Sequence, residues 1–153
     1  MSMNKIIVTG GAGFIGSNLV KRLLDDGAEE ILVIDDFSTG KKENLHDSSK
    51  VHLIESKLED IEDLKSKFKG YDFCFHLAAG VGVQYIMDNL SDSLLTNIQG
   101  THIVFEACKV NNIPVMITST SEIYGTSKEE SWDEETKSLI GPTTKLRWSY
   151  AVS

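Results

Sequence analysis

Cysteine, proline and positive charge are all scarce in these 153 residues. The two cysteines, Cys74 and Cys108, both lie in apolar segments. They read as buried free thiols, which suits a reducing cytoplasm and excludes a disulfide scaffold. The four histidines and two cysteines show no metal-ligand spacing, so no metal site is expected. The two prolines, Pro114 and Pro142, leave most of the chain free for regular structure. Lys and Arg total 15 against 23 Asp and Glu, a net charge of −8. Nothing in that balance favours nucleic acid or an anionic membrane surface. No apolar run approaches the roughly 20 residues that span a bilayer. Met1 to Lys5 has no secretory pattern and runs almost at once into an apolar segment. At 41% hydrophobic and 25% charged, the composition is that of a globular chain. Its length suits one domain with a real core.

The most informative stretch is Thr9-Gly10-Gly11-Ala12-Gly13-Phe14-Ile15-Gly16. It follows the apolar run Lys5-Ile6-Ile7-Val8 and opens a segment with helical spacing at Phe14, Ile15, Leu19, Val20, Leu23 and Leu24. Strand, glycine turn and helix are the context that a dinucleotide-binding turn requires. Gly10 allows the sharp turn, Gly13 lets a pyrophosphate approach the main chain, and Gly16 allows close helix packing. The first free amides of the helix then face the phosphates, with the helix dipole behind them. Glu30-Ile31-Leu32-Val33-Ile34-Asp35 reads as a second, fully apolar parallel strand. It ends in Asp35, 19 residues beyond Gly16. A carboxylate there accepts hydrogen bonds from adenosine ribose hydroxyls and repels a 2′-phosphate. The expected cofactor is therefore NAD rather than NADP, with Lys41 and Lys42 the only opposing signal.

Asp36-Phe37-Ser38-Thr39-Gly40 is turn chemistry. Val51–Ile54 predicts a third strand, Asp60–Phe68 a helix and Tyr71–Leu77 a fourth strand. The fourth strand runs into Ala78-Ala79-Gly80, small residues that let the backbone approach a ligand. His76 reads as a packed histidine at the strand end. The spacing predicts a long helix over about Ser91–Asn111, with Leu94, Leu95, Ile98, Val104, Ala107 and Cys108 on its inner side. Asn97 is a polar residue on that face, placed to cap backbone groups or hold a water. A fifth strand, Val115–Thr118, ends in Ser119-Thr120-Ser121-Glu122-Ile123-Tyr124-Gly125. Hydroxyls and a carboxylate at a carboxyl edge are placed for chemistry; the same residues also suit a helix-capping turn. Trp132 lies in a polar loop, as a lid residue or a packed indole. Thr143 to Ser153 reads as the start of a helix. Alternating strands and helices imply an α/β doubly wound parallel sheet of order 3-2-1-4-5.

Taken together, these segments resemble the extended short-chain dehydrogenase/reductases, specifically the nucleotide-sugar epimerases and dehydratases. The matching motifs are Thr9–Gly16, Asp35–Gly40, His76-Leu77-Ala78-Ala79, Asn97–Thr101, Ser119–Gly125 and Ser149-Tyr150-Ala151-Val152-Ser153. They cover nearly the whole chain but only about the first half of a family member. The resemblance implies an NAD-binding Rossmann domain over residues 1–153, incomplete after the fifth strand, with the substrate domain absent. It implies that Gly10, Gly13, Phe14, Ile15 and Gly16 hold the pyrophosphate. Asp35, with Asp36, Phe37, Ser38, Thr39 and Gly40, takes the adenosine side, and Leu58 lies against adenine. Leu77, Ala78, Ala79, Gly80, Asn97 and Ser119 line the path toward the nicotinamide. Thr120 matches the active-site Ser/Thr and Tyr150 the catalytic tyrosine. Glu122 is a candidate for an additional acid/base group.

The reaction implied is reversible oxidation of a sugar hydroxyl, with hydride passing to nicotinamide while a base takes the proton. A tyrosine serves as that base only when its pKa falls, as a nearby lysine and the cationic nicotinamide make it do. Dehydratases of the family carry Asp-Glu where this chain has Ser121-Glu122, which leaves epimerisation, as in a UDP-sugar 4-epimerase, or decarboxylation of a UDP-glucuronate type. Lys57 stands where the family usually has an Asp contacting adenine. The family's Tyr-x-x-x-Lys places its lysine at position 154, one beyond Ser153, so little activity is expected of this chain alone. A non-catalytic NAD-binding module is the alternative from another class. A homodimer or larger species is expected, because family members pair through the long helix.

Overall fold

The computed structural model describes residues 4–80, 90–142, 144–145 and 148–152. Five strands form one parallel sheet: β1 (Lys5–Thr9), β2 (Glu30–Asp35), β3 (Val51–Glu55), β4 (Phe73–His76) and β5 (Val115–Ile117). Their order is β3-β2-β1-β4-β5, as the alternation of elements predicts. The register sets Ile7 between Leu32 and Cys74, and Thr9 between Ile34 and His76. Because side chains alternate across a strand, each strand feeds two cores. Ile6, Val8, Ile31 and Val33 pack with Val20 and Leu23 of α1 (Phe14–Asp25) on one face. Ile7, Leu32, Ile34 and Cys74 pack on the other face with Leu64 of α2 (Leu64–Lys67), Phe68, and Val104 and Cys108 further along. A run apolar on both faces is what a parallel strand covered from both sides requires.

The helix predicted over Asp60–Phe68 is shorter in the structure. A 3-10 turn spans Leu58–Asp60, and α2 begins only at Leu64. Asp63 adopts a left-handed conformation (φ 51°), and its side chain accepts from the Ser66 amide at 3.3 Å. This cap restarts the helix, while Leu64 and Phe68 are buried as their spacing demands.

The long helix is also not uniform. It consists of α3 (Leu90–Leu95), a π-helical turn (Thr96–Gly100) and α4 (Thr101–Asn111). The wider turn shifts the phase of everything before it relative to α4. Val104, Ala107 and Cys108 are buried as expected, but Leu95 and Ile98 are 53% and 56% exposed. They do not lie on the inner side, because a 3.6-residue period does not carry across a π turn. Cys74 and Cys108 are buried free thiols, and the neighbouring Cys108 thiol together with burial pushes the Cys74 thiol up.

β5 is short and lies at the sheet edge, leaving Met116 and Ile117 exposed. The last helix, α5 (Trp148–Val152), begins later than the predicted start at Thr143. Thr143, Leu146, Arg147 and Ser153 lie outside the described residues. Trp148 is buried, with its indole close enough to Gly141 that an added Cβ there would sit 2.5 Å from the ring.

Candidate functional site

Parallel strands all point their carboxyl ends the same way, so the loops after β1, β2, β4 and β5 converge at one edge. The glycine turn after β1 is the tightest part. Gly10 sits at φ +70°, and a Cβ there would lie 2.7 Å from the Ala78 amide nitrogen. Gly10 donates to the Ile34 carbonyl at 2.8 Å, which seats the turn between β2 and β4. Gly16 packs against the turn itself: a Cβ there would meet the Gly10 oxygen at 2.1 Å. At Gly13, by contrast, an added Cβ meets only the Gly10 oxygen, at 3.4 Å.

Gly13 caps α1 without any side-chain hydrogen bond, and the first helical turn carries no acidic residue. Among the described residues, the amides of that turn therefore have no anionic or hydroxyl side-chain cap. Phe14 and Ile15 point outward, 85% and 66% exposed. An uncapped helix start beside a glycine turn is a fitting receptor for a pyrophosphate.

At the end of β2, Asp35 is 8% exposed. Its Oδ2 accepts from the Ala12 amide at 2.8 Å and its Oδ1 from the Phe37 amide at 2.9 Å. An ionised carboxylate has about four acceptor sites, so lone pairs remain for a ligand. Asp36 Oδ1 accepts from the Ser38 amide at 2.9 Å, shaping the following turn. The chain then folds back onto the glycine turn. Lys41 N and Asn44 Nδ2 both donate to the Ala12 carbonyl, at 3.1 and 2.8 Å. A Cβ on Gly40 would lie 2.9 Å from the carbonyl carbon of Ala12.

Past β4, the wall is formed by Leu77, Ala78, Ala79 and Gly80. The Gly80 amide donates to Asn97 Oδ1 at 2.8 Å, so Asn97 does cap backbone. His76 is buried between Thr9 and Thr101, and burial lowers its pKa to about 4. It is a neutral packed histidine at neutral pH, although its edge reaches the cleft. After β5, Thr120 Oγ1 accepts from the Glu122 amide at 3.3 Å and caps a 3-10 turn, Ser121–Tyr124. The capping reading of this segment therefore holds, and it leaves the Thr120 side chain on the cleft wall. Trp132 stacks on Tyr124 with ring centroids 5.0 Å apart and is 45% exposed.

These loops enclose a cleft of about 1020 Å³. Its lining includes Gly10, Gly13, Phe14, Ile15, Gly16, Asp35, Asp36, Ser38 and Thr39. Lys57, Leu58, Leu77 to Gly80, Asn97, Ser119, Thr120 and Tyr150 line it too. Phe37, Gly40 and Glu122 are not in the wall. Phe37 (φ 57°) and Gly40 instead shape the loop behind it. The wall also holds Ser56, Glu59, His76, Thr96 and Thr101, which sequence reading did not assign to a site. Thr101 closes the Asn97–Thr101 motif, and that was its only signal.

The family model described as "NAD dependent epimerase/dehydratase family" matches residues 6–153. A UDP-N-acetyl-alpha-D-glucosaminuronate decarboxylase of Bacillus cytotoxicus is 33% identical over 149 residues, covering 97% of this chain and 46% of its own length. The solved UDP-N-acetylglucosamine 4-epimerase of Methanobrevibacter ruminantium, in complex with UDP-N-acetylmuramic acid, superimposes with a TM-score of 0.86 at 34% identity. That match covers 99% of this chain and 47% of the epimerase. DesIV of Streptomyces venezuelae, a dTDP-glucose 4,6-dehydratase with NAD and TYD bound, gives a TM-score of 0.84 at 29% identity, covering 97% of this chain and 47% of DesIV. The chain spans about half the length of the relatives it matches.

Proposed function

Because the chain belongs to the NAD dependent epimerase/dehydratase family, we propose that it forms the NAD-binding half of an enzyme that oxidises a nucleotide-sugar hydroxyl. The observation that carries this reading is the single cleft joining the uncapped start of α1, Asp35, Thr120 and Tyr150. Bound NAD supplies a hydride acceptor at its nicotinamide. The chain's own groups then do the rest. The α1 amides and the glycine turn bind phosphate, and Asp35 accepts from the adenosine ribose. Thr120 presents a hydroxyl that orients the sugar oxygen. Tyr150 takes the proton that leaves that oxygen.

A UDP-sugar 4-epimerase is the favoured activity. Ser121-Glu122 departs from the dehydratases' Asp-Glu pair, which argues against dehydration. A UDP-glucuronate-type decarboxylase is the second reading, supported by the decarboxylase relative that covers nearly all of this chain. Both begin with the same oxidation. The chain alone is expected to bind cofactor with little turnover.

NAD is expected to bind more tightly than NADP, which isothermal titration calorimetry with both cofactors measures directly. Equal or tighter NADP binding would refute the role of Asp35. Asp35→Ala should weaken NAD by about 1–3 kcal/mol through lost hydrogen bonds. It should also cost folding stability, since the Ala12 and Phe37 amides lose their acceptor.

Self-association is expected from the exposed apolar side chains along α3, the π turn and α4. Leu95, Ile98, Phe105 and Val110 are all exposed, alongside Met116 and Ile117 on the edge strand. Such a surface invites a partner. Light scattering should give the mass of two or more chains; a concentration-independent monomer mass contradicts this.

A further inference from the structure

We infer that His76 is a positioning residue for the cleft, bridging Thr9 and Thr101 so that the Leu77–Gly80 wall is held in place. The turn after β4 has no regular structure, so its amides need acceptors. Leu77 N donates to the Thr9 carbonyl at 3.1 Å, and Ala78 N to Thr9 Oγ1 at 3.2 Å. Gly80 N donates to Asn97 Oδ1 at 2.8 Å. One end of the wall thus hangs on the Thr9 hydroxyl and the other on Asn97.

His76 locks the first anchor to the same helix as the second. Its Nδ1 lies 2.7 Å from Thr9 Oγ1 and its Nε2 3.0 Å from Thr101 Oγ1. Asn97 lies within the π turn and Thr101 directly follows it. Such turns recur at functional sites.

The hydrogen bonds assign the tautomer. Thr9 is fully buried and already accepts from Ala78. If it also accepted from Nδ1, its own hydrogen would be buried with no acceptor among the described contacts, the costlier arrangement. Thr9 therefore donates to Nδ1, and the proton on Nε2 is donated to Thr101. A ring with both nitrogens so engaged is neutral, in keeping with a pKa that burial lowers to about 4. Thr101 has one hydrogen left and lines the cleft, so it offers a donor to a bound molecule or a water. A merely packed histidine needs no particular tautomer and no hydroxyl at position 101.

The ligand side of this inference rests on the cleft being an NAD site; the clamp itself is testable without ligand. Nitrogen-15 NMR of the His76 ring in the unmodified chain should show a neutral Nε2–H tautomer from pH 8 down to pH 5. An Nδ1–H ring, or protonation with a midpoint near the ordinary histidine value of 6.5, overturns the assignment. In the ligand-free protein, Thr101→Val should speed hydrogen exchange at the Ala78 amide by about tenfold, the worth of roughly one hydrogen bond. The Gly80 amide, held by Asn97, should be unaffected, and Thr101→Ser should restore Ala78. The NAD dissociation constant should rise about tenfold in Thr101→Val and recover in Thr101→Ser. Unchanged Ala78 exchange in Thr101→Val overturns the clamp. If the unmodified chain fails to bind NAD, the cofactor reading falls, while the tautomer and exchange measurements still decide the clamp.

Discussion

Gly16→Ala is expected to destabilise the fold severely, while Gly13→Ala leaves it folded but unable to hold NAD tightly. The two glycines stand three residues apart in one motif, yet a methyl group meets different surroundings at each. At Gly16 it would sit 2.1 Å from the Gly10 oxygen and 2.7 Å from the Gly11 Cα. Both are backbone atoms, held by the pairing of β1 with β2 and β4, so neither can step aside cheaply. Forced overpacking costs about 1–3 kcal/mol, and a clash with fixed backbone belongs at or above the top of that range. At Gly13 the methyl meets only the Gly10 oxygen at 3.4 Å, a tolerable contact, but it occupies the approach to the free amides of α1. Urea denaturation and NAD calorimetry on both variants separate the effects. A stable Gly16→Ala, or a Gly13→Ala with unchanged NAD affinity, would contradict the account.

Acid should weaken the fold through His76 before it does so through the carboxylates. The folded pKa is depressed from 6.5 to about 4 by burial. Between those values the unfolded chain binds the proton and the native state does not. Stability is therefore complete above about pH 6.5 and falls as pH drops toward 4. The full shift is worth about 3 kcal/mol at most. Glu30 and Asp63 have lowered pKa values in the fold, from bonds to Lys5 and Ser66 respectively, so their contributions disappear at lower pH. Stability measured in urea at pH 8, 6, 5 and 4 should show the loss beginning near pH 6.5. A His76→Gln variant should be flat over the upper part of that window. Parallel pH profiles for the two proteins would show that His76 is not the proton acceptor.

Much of the site was legible because it is local. A glycine turn between a strand and a helix, and a carboxylate one strand later, follow from backbone geometry within a few residues. Asp35, Gly10 and Gly16 needed no knowledge of the distant chain. The parallel order of the sheet was legible too, since alternating apolar strands and helices leave few ways to cover both faces. What failed did so where one part of the chain answers to another. The π turn at Thr96–Gly100 has no period of its own, so Leu95 and Ile98 were assigned to the wrong face. Asp63 restarted a helix that apolar spacing alone made continuous. Phe37 and Gly40 belong to a matching motif, but their loop packs on Ala12, behind the cleft wall.

The sequence by itself determined the α/β class, the strand order, the glycine turn after β1 and the acidic end of β2. Each depends on residue type and on spacing within one or two neighbouring elements. Only the tertiary structure decided that His76 joins Thr9 to Thr101 and that Asn97 caps Gly80. Sequence separations of 67, 25 and 17 residues divide those pairs. Hydrogen bonds across such distances depend on how strands and helices finally pack, and a short-range pattern carries no record of that.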